Sequence, residues 1–282
     1  MTGLASTSAL VVFGIAAVGV FGLLIGSFLN VVAYRVPAGR SIVFPPSACP
    51  NCGHEITAID NIPVLSWLVL RGKCRNCTEP ISARYPIVEA LTGVFFAVVA
   101  WWFWAGPAAS SVPIVARILE LVAFLYLAAI SVVLALIDLD TRRLPNAIVL
   151  PSYLVGAALL GISAFIAGDL STLVSAGVGM AALFAFYLVA ALVYPGGMGF
   201  GDVKLAGVLG LFLGFLGWGP LIVGAFAAFV LGGLFGVALF ALRRARRGTG
   251  IPFGPWMLAG AWVGIFFGTW LGGAYLALFG LV

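Results

Sequence analysis

Pro195-Gly196-Gly197-Met198-Gly199-Phe200-Gly201-Asp202 separates two long apolar runs, one ending near residue 194 and the next beginning at Val203. An acid in that place puts a carboxylate at the rim of a membrane, and the glycines before it permit a tight turn and close backbone approach. Composition agrees with that setting. Of 282 residues, 63% are hydrophobic and only 8% charged, with a mean hydropathy of +1.20, against roughly a quarter charged in soluble domains. Crossing the hydrocarbon takes roughly 20 apolar residues, and such runs fall at about 8–29, 86–105, 114–137, 147–167, 172–194, 203–218, 220–242 and 256–281. The expected fold is all-α: a polytopic membrane protein of about eight transmembrane helices, with a small cytoplasmic zinc-binding loop domain after the first.

The first run is expected to stay as an anchor. Met1 to Ser8 carries no Lys or Arg, the apolar stretch is long for a leader, and no small-residue cleavage site opens a soluble domain behind it. Basic residues mark the cytoplasmic side. With the N-terminus outside, the loops after spans one, three, five and seven are cytoplasmic, and they hold every basic residue of the chain except Arg117. The net charge of +5 is then a product of topology. Membrane lipid is an expected partner and nucleic acid is not.

At the end of span one, Gly26-Ser27-Phe28-Leu29-Asn30 continues to Arg35 and Pro37. Small residues there allow close helix approach, and Arg35 can anchor to headgroups. The loop from about 36 to 85 is the large polar segment. It contains all four cysteines, as Cys49-Pro50-Asn51-Cys52 and Cys74-Arg75-Asn76-Cys77. Two CxxC turns supply four thiolates to one ion, the donor set of a closed structural zinc site. Disulfides seldom persist in a reducing compartment, and a redox CxxC would not need a second copy. His54 is expected to be a bystander or a donor behind the ligands, and Glu55, Asp60 and Glu79 solvated charges. Metal binding is expected to supply much of the loop's folding free energy.

Glu89 lies about one turn into span two, where a carboxylate needs a partner; an ion pair with a loop Arg or Lys is expected, and Arg117 with Glu120 reads as the same device near the far face. Trp101-Trp102-Phe103-Trp104 reads as an interfacial aromatic belt. Span three ends in Asp138-Leu139-Asp140-Thr141-Arg142-Arg143-Leu144-Pro145-Asn146. Asp138 follows Ala135-Leu136-Ile137 directly and is the last group on the buried helix; Asp140 is nearer water. Two carboxylates held close in a site of low dielectric share a proton. The ionised one can take a proton from an attacking water while the protonated one hydrogen-bonds an amide carbonyl, which is aspartyl proteolysis, and the two titrate as a unit.

These motifs together resemble the type IV prepilin peptidases, members of the GxGD family of intramembrane aspartyl proteases. The resemblance rests on Gly26-Ser27-Phe28-Leu29-Asn30, the two CxxC pairs, Asp138 six residues before Leu144-Pro145, Gly199-Phe200-Gly201-Asp202, and Pro252-Phe253-Gly254-Pro255, so it covers nearly the whole chain. It implies cleavage of the basic leader of prepilins and pseudopilins, after a glycine, at the cytoplasmic face of the plasma membrane. It further implies N-methylation of the new N-terminal residue with S-adenosylmethionine. Asp138 and Asp202 take the places of the catalytic aspartates, and Asp140 is too near Pro145 for the family spacing. The methyltransferase region is expected in 1–106 and the six-helix peptidase in 107–282. No Rossmann-like glycine fingerprint marks an S-adenosylmethionine pocket. Lys204 is expected to bind lipid phosphate or tune Asp202, the glycines from Gly207 to Gly236 to pack helices, and Arg243-Arg244-Ala245-Arg246-Arg247 to meet anionic lipid. The competing readings are a polytopic transporter, whose acids would sit near mid-membrane in repeated halves, and a non-catalytic, zinc-dependent membrane assembly factor, which would need no paired acids.

Overall fold

The computed structural model describes residues 2–104, 112–194, 198–242 and 252–280. The glycine turn at 195–197 and the arginine cluster at 243–247 lie outside the described residues. The helices among the described residues are α1 (Thr2–Arg35), α2 (Leu65–Val69), α3 (Arg84–Trp104), α4 (Ile114–Thr141), α5 (Asn146–Ala167), α6 (Ser171–Val193), α7 (Phe200–Leu216), α8 (Trp218–Ala241) and α9 (Gly254–Leu278), with one 3₁₀ turn at Ala58–Asn61. No named strand occurs among the described residues, only two isolated antiparallel bridges in the cysteine loop.

Among the described residues, seven helices are long and apolar enough to cross a membrane: α1 from Ala9 onward, α3, α4, α5, α6, α8 and α9. The eighth expected span is α7, and it is shorter than the others. Its 17 residues rise about 25 Å, less than the roughly 30 Å of hydrocarbon. Gly217, at φ 112°, turns the chain into α8 at once. Every residue of α7 from Leu205 to Phe215 is buried, so this helix meets protein rather than lipid over most of its length.

Contacts divide the chain into two compact units, Met1–Ser111 with Phe124–Val133, and Val112–Ala123 with Leu134–Val282. In the first, α1 packs on α3 through small residues. A Cβ on Gly22 would stand 2.7 Å from the Phe96 Cβ, and one on Gly26 would stand 2.8 Å from the Glu89 Cα. In the second, α6 meets α7 where a Cβ on Gly179 would lie 2.6 Å from the Gly210 carbonyl oxygen. A Cβ on Gly264 would lie 2.5 Å from the Pro220 carbonyl oxygen, which sets the approach of α9 to α8. In lipid such seams carry helix association, because burial of apolar surface offers no gain between helices. Gly210, Gly214 and Gly224 act as expected, whereas Gly233 faces open space.

The aromatic run at the end of α3 differs from the expected belt. Trp102 and Phe103 are 8% and 3% exposed, and both rings pack on Phe124, at 6.4 and 5.0 Å between centroids. A helix turns about 100° per residue, so four consecutive aromatics cannot share one face. Trp101 alone stays half exposed among these three.

Candidate active site

Asp138 sits in the last turn of α4, which Arg142 closes in a left-handed conformation at φ 54°. Its side chain is 5% exposed, while Asp140, two residues on, is exposed. The Asp138 Oδ2 accepts the Gly254 N–H at 3.1 Å, an amide in the first turn of α9. Asp202 occupies the first turn of α7, and its Oδ2 accepts the Gly199 N–H at 3.0 Å. The Asp202 N–H returns a bond to the Gly199 carbonyl at 3.0 Å, a 3₁₀-type turn that takes the place of the side-chain half of a capping box, which glycine cannot supply. Each carboxylate is thus oriented by an amide at a helix N-terminus, where unpaired N–H groups and the positive end of the helix dipole gather. The two acids are brought to one place by a shared neighbour, Leu144, which meets both Gly201, next to Asp202, and Gly254, whose amide holds Asp138.

Bare glycines make the site possible. A Cβ on Gly254 would stand 2.7 Å from the Asp138 Oδ2 and 3.4 Å from the Leu144 Cδ2, and one on Gly201 would stand 3.0 Å from the Leu144 Cβ. The ends of α7 and α9 therefore close around the same leucine. A clamp from α5 holds the first turns of α7. Tyr153 donates its hydroxyl to the Lys204 carbonyl at 2.6 Å, in space left by the missing side chain of Gly207. The Lys204 Nζ donates to the Asn146 Oδ1 at 3.0 Å and stands 5.4 Å over the Phe200 ring. Lys204 is thus engaged by the N-terminus of α5. The sequence reading missed Gly254, Leu144, Asn146 and Tyr153 in these roles; the Pro252-Phe253-Gly254-Pro255 motif and the Leu144-Pro145 pair signalled two of them.

The other intramembrane acids also have partners, and for Glu89 it is not the expected one. Glu89, 8% exposed, accepts the Val64 backbone N–H at 2.7 Å instead of pairing with a basic side chain. Glu120 accepts the Ser163 hydroxyl at 2.8 Å, and the buried Arg117 Nε has no hydrogen-bond partner. In the loop, Asp60 is bound by Arg75, whose Nε lies 2.9 and 3.0 Å from its two oxygens. That guanidinium holds the Asp60 carboxyl below the usual carboxylate range.

The four cysteines are free thiols with all Sγ atoms within 4.8 Å of one another. Two matching knuckles bring them there. The Cys49 N–H bonds the His54 carbonyl at 2.9 Å, and the Cys74 N–H bonds the Glu79 carbonyl at 2.8 Å. The residue after each second cysteine is left-handed, Gly53 at φ 70° and Thr78 at φ 59°. The Cys49 and Cys77 sulfurs are 3.7 Å apart, close to the roughly 3.8 Å that tetrahedral coordination with 2.3 Å zinc–sulfur bonds requires. Amides of Cys52 and Asn51 bond the Cys49 sulfur and pull its thiol down to about 7. The His54 amide favours the Cys52 thiolate, but burial and the three neighbouring sulfurs outweigh it and push that thiol up to about 11. Four clustered thiolates need a cation to hold them. The cluster can hold a metal ion, and among the described residues it is the one such group.

Residues 20–103 match the model of the bacterial peptidase A24 N-terminal domain, and residues 125–237 match that of the type IV leader peptidase family. The chain is 34% identical over 281 residues to a prepilin leader peptidase/N-methyltransferase of Stutzerimonas stutzeri, covering 91% of this chain and 92% of the relative. The protein of that name from Aeromonas hydrophila is also 34% identical, over 285 residues and 92% of both chains.

The chain belongs to the type IV leader peptidase family.

A third member, from Myxococcus xanthus, is 44% identical over 199 residues, 69% of this chain and 54% of the relative. No solved structure matches the chain. Membership accounts for both halves of the chain, since one family model lies over the cysteine loop and the other over Asp138 and Asp202.

Gly254→Ala is expected to displace the Asp138 carboxylate and lower kcat for the family's peptidase reaction by about 10²-fold, the usual cost of a misplacement near 1 Å. Thermal unfolding in detergent should move little, which separates lost geometry from lost fold. Chelation of the purified protein should raise amide hydrogen exchange across residues 48–81 while leaving α5 to α9 protected, because metal binding and folding are coupled in such loops.

Proposed function

We propose that this protein is a membrane aspartyl endopeptidase that cleaves the leader of type IV prepilins and pseudopilins, and that it also N-methylates the exposed residue. The observation that carries the peptidase reading is the placing of two carboxylates, Asp138 and Asp202, each turned by a helix N-terminal amide at helix ends that close around Leu144. Each spends Oδ2 on that amide, which leaves Oδ1 for water and substrate. The ionised acid removes a proton from water as its oxygen bonds the scissile carbonyl carbon, and the protonated acid donates to the carbonyl oxygen. Collapse of the tetrahedral adduct breaks the C–N bond, and the proton passes to the leaving amine. The burial of Asp138 against the exposure of Asp140 supports the choice between them.

The distribution of basic residues supports a plasma-membrane protein with both acids and the cysteine loop on the cytoplasmic side. The loop holds zinc through Cys49, Cys52, Cys74 and Cys77, a closed set with no open position, hence structural. We assign the methyltransferase region to 1–106 and the peptidase to 107–282. S-adenosylmethionine would supply the methyl group. The cavity among Leu183, Tyr187, Leu209 and Met257 is about 10 Å³ and apolar, room for a single water and not for that cofactor, and no side chain is assigned to it.

The test is purified protein in liposomes with a prepilin and methyl-labelled S-adenosylmethionine. Wild type should release the leader and label the new N-terminus. Asp138→Asn should lose cleavage by about 10³-fold or more, while Asp140→Asn should stay within a few-fold. Undiminished cleavage by Asp138→Asn would overturn the assignment, and cleavage without label would leave a peptidase only.

A further inference from the structure

The segment between the two cysteine knuckles is built inside out. In the 3₁₀ turn Ala58–Asn61 and in α2, the buried side chain is Ser66, whose Oγ donates to the Ile59 carbonyl at 2.7 Å and accepts the Ile62 N–H at 3.0 Å. The large apolar side chains point away: Ile59, Leu65, Leu68 and Val69 are 72%, 60%, 58% and 77% exposed. A water-facing loop would show the reverse pattern, since contiguous apolar surface in contact with water marks a binding face.

The depth of this segment says what covers it. Arg84 is the one cation of α3, a span long and apolar enough to cross the hydrocarbon, and cations gather where a span meets the headgroups. This first residue of the helix therefore lies at the boundary, and Glu89 lies about 7 Å inside it along the axis. The Val64 N–H is 2.7 Å from the Glu89 Oε2. On the neighbouring helix, Ser27 donates to the Asn61 Oδ1 at 3.4 Å, and Ser27 follows Gly26, which faces the Glu89 Cα. The segment is thus tied at two points to helix positions that lie below the membrane boundary. Arg71 and Lys73, both exposed, come directly after it, where cations meet lipid phosphate.

We propose that residues 59–69 form an interfacial wedge, with Leu65, Leu68, Val69 and Ile59 among the acyl chains of the bilayer and Arg71 and Lys73 at the headgroups. Glu89 is the group that holds the wedge at this depth, which explains a buried carboxylate whose partner is a backbone amide. The cysteine knuckles are then fastened to the membrane surface at their middle as well as through α1 and α3.

The test uses full-length protein carrying a photoreactive diazirine amino acid at Leu65, Leu68 or Val69, one at a time, in liposomes of phosphatidylethanolamine and phosphatidylglycerol. These positions are exposed, so the probe disturbs no packing; Asn76, exposed at a knuckle tip, is the reference. After irradiation, mass spectrometry should find lipid adducts at each wedge position in several-fold higher yield than at Asn76. Yields equal to that at Asn76 would overturn the proposal. So would adducts chiefly to peptide, which would make the face a contact with a second copy or, when prepilin is added, with substrate. Glu89→Gln should lower the adduct yield at Leu68, and an unchanged yield would remove Glu89 from the account.

Discussion

Two hydrogen bonds from backbone amides, Gly254 to Asp138 and Gly199 to Asp202, are the constraint on which the second unit turns. A carboxylate in a membrane needs a donor that cannot move away, and a helix N-terminus offers one fixed by the helix itself. Using two such termini places two acids without a basic side chain between them. A lysine or arginine there would hold both in the charged form, and the shared proton that the proposed chemistry needs would be lost.

The surrounding helices serve that arrangement. α7 is short and buried, so its first turn can lie at the level of the end of α4 while its body fills the unit's interior. Gly179 and Gly210 bring α6 against it, Gly207 admits the Tyr153 ring, and the Tyr153 hydroxyl fixes the Lys204 carbonyl, two residues from Asp202. The wedge proposed in the first unit follows the same logic, with Glu89 holding a loop by its backbone. Glu89, Asp138 and Asp202 are all partnered by main-chain donors, which cost no side-chain entropy to position.

Much of this was legible in the residues. Apolar runs report membrane helices because lipid allows few alternatives, and an acid at a run's edge stands out. The cysteine spacing was equally direct, since two-residue gaps shape each knuckle locally. What could not be read were contacts across long separations: Gly254 reaches Asp138 over 116 residues, and no local pattern announces it. Glu89 and Asp60 show the same limit. The charge of Glu89 predicted a need for a partner, but only the fold could choose the Val64 amide, and Asp60, read as a solvated charge, is held by Arg75 from across the loop. The α7 span was drawn too much like its neighbours, because hydropathy does not distinguish lipid from buried protein as surroundings.

The central claim is that Asp138 and Asp202 work as one unit. It is tested most directly by a double-mutant cycle on kcat/KM for leader cleavage, with Asp138→Asn, Asp202→Asn and both together, each checked for unchanged thermal unfolding. Groups that act as a unit are non-additive, so all three proteins should fall to the same residual rate. Losses that multiply in the double variant, or turnover by either single variant within about tenfold of wild type, would contradict the account.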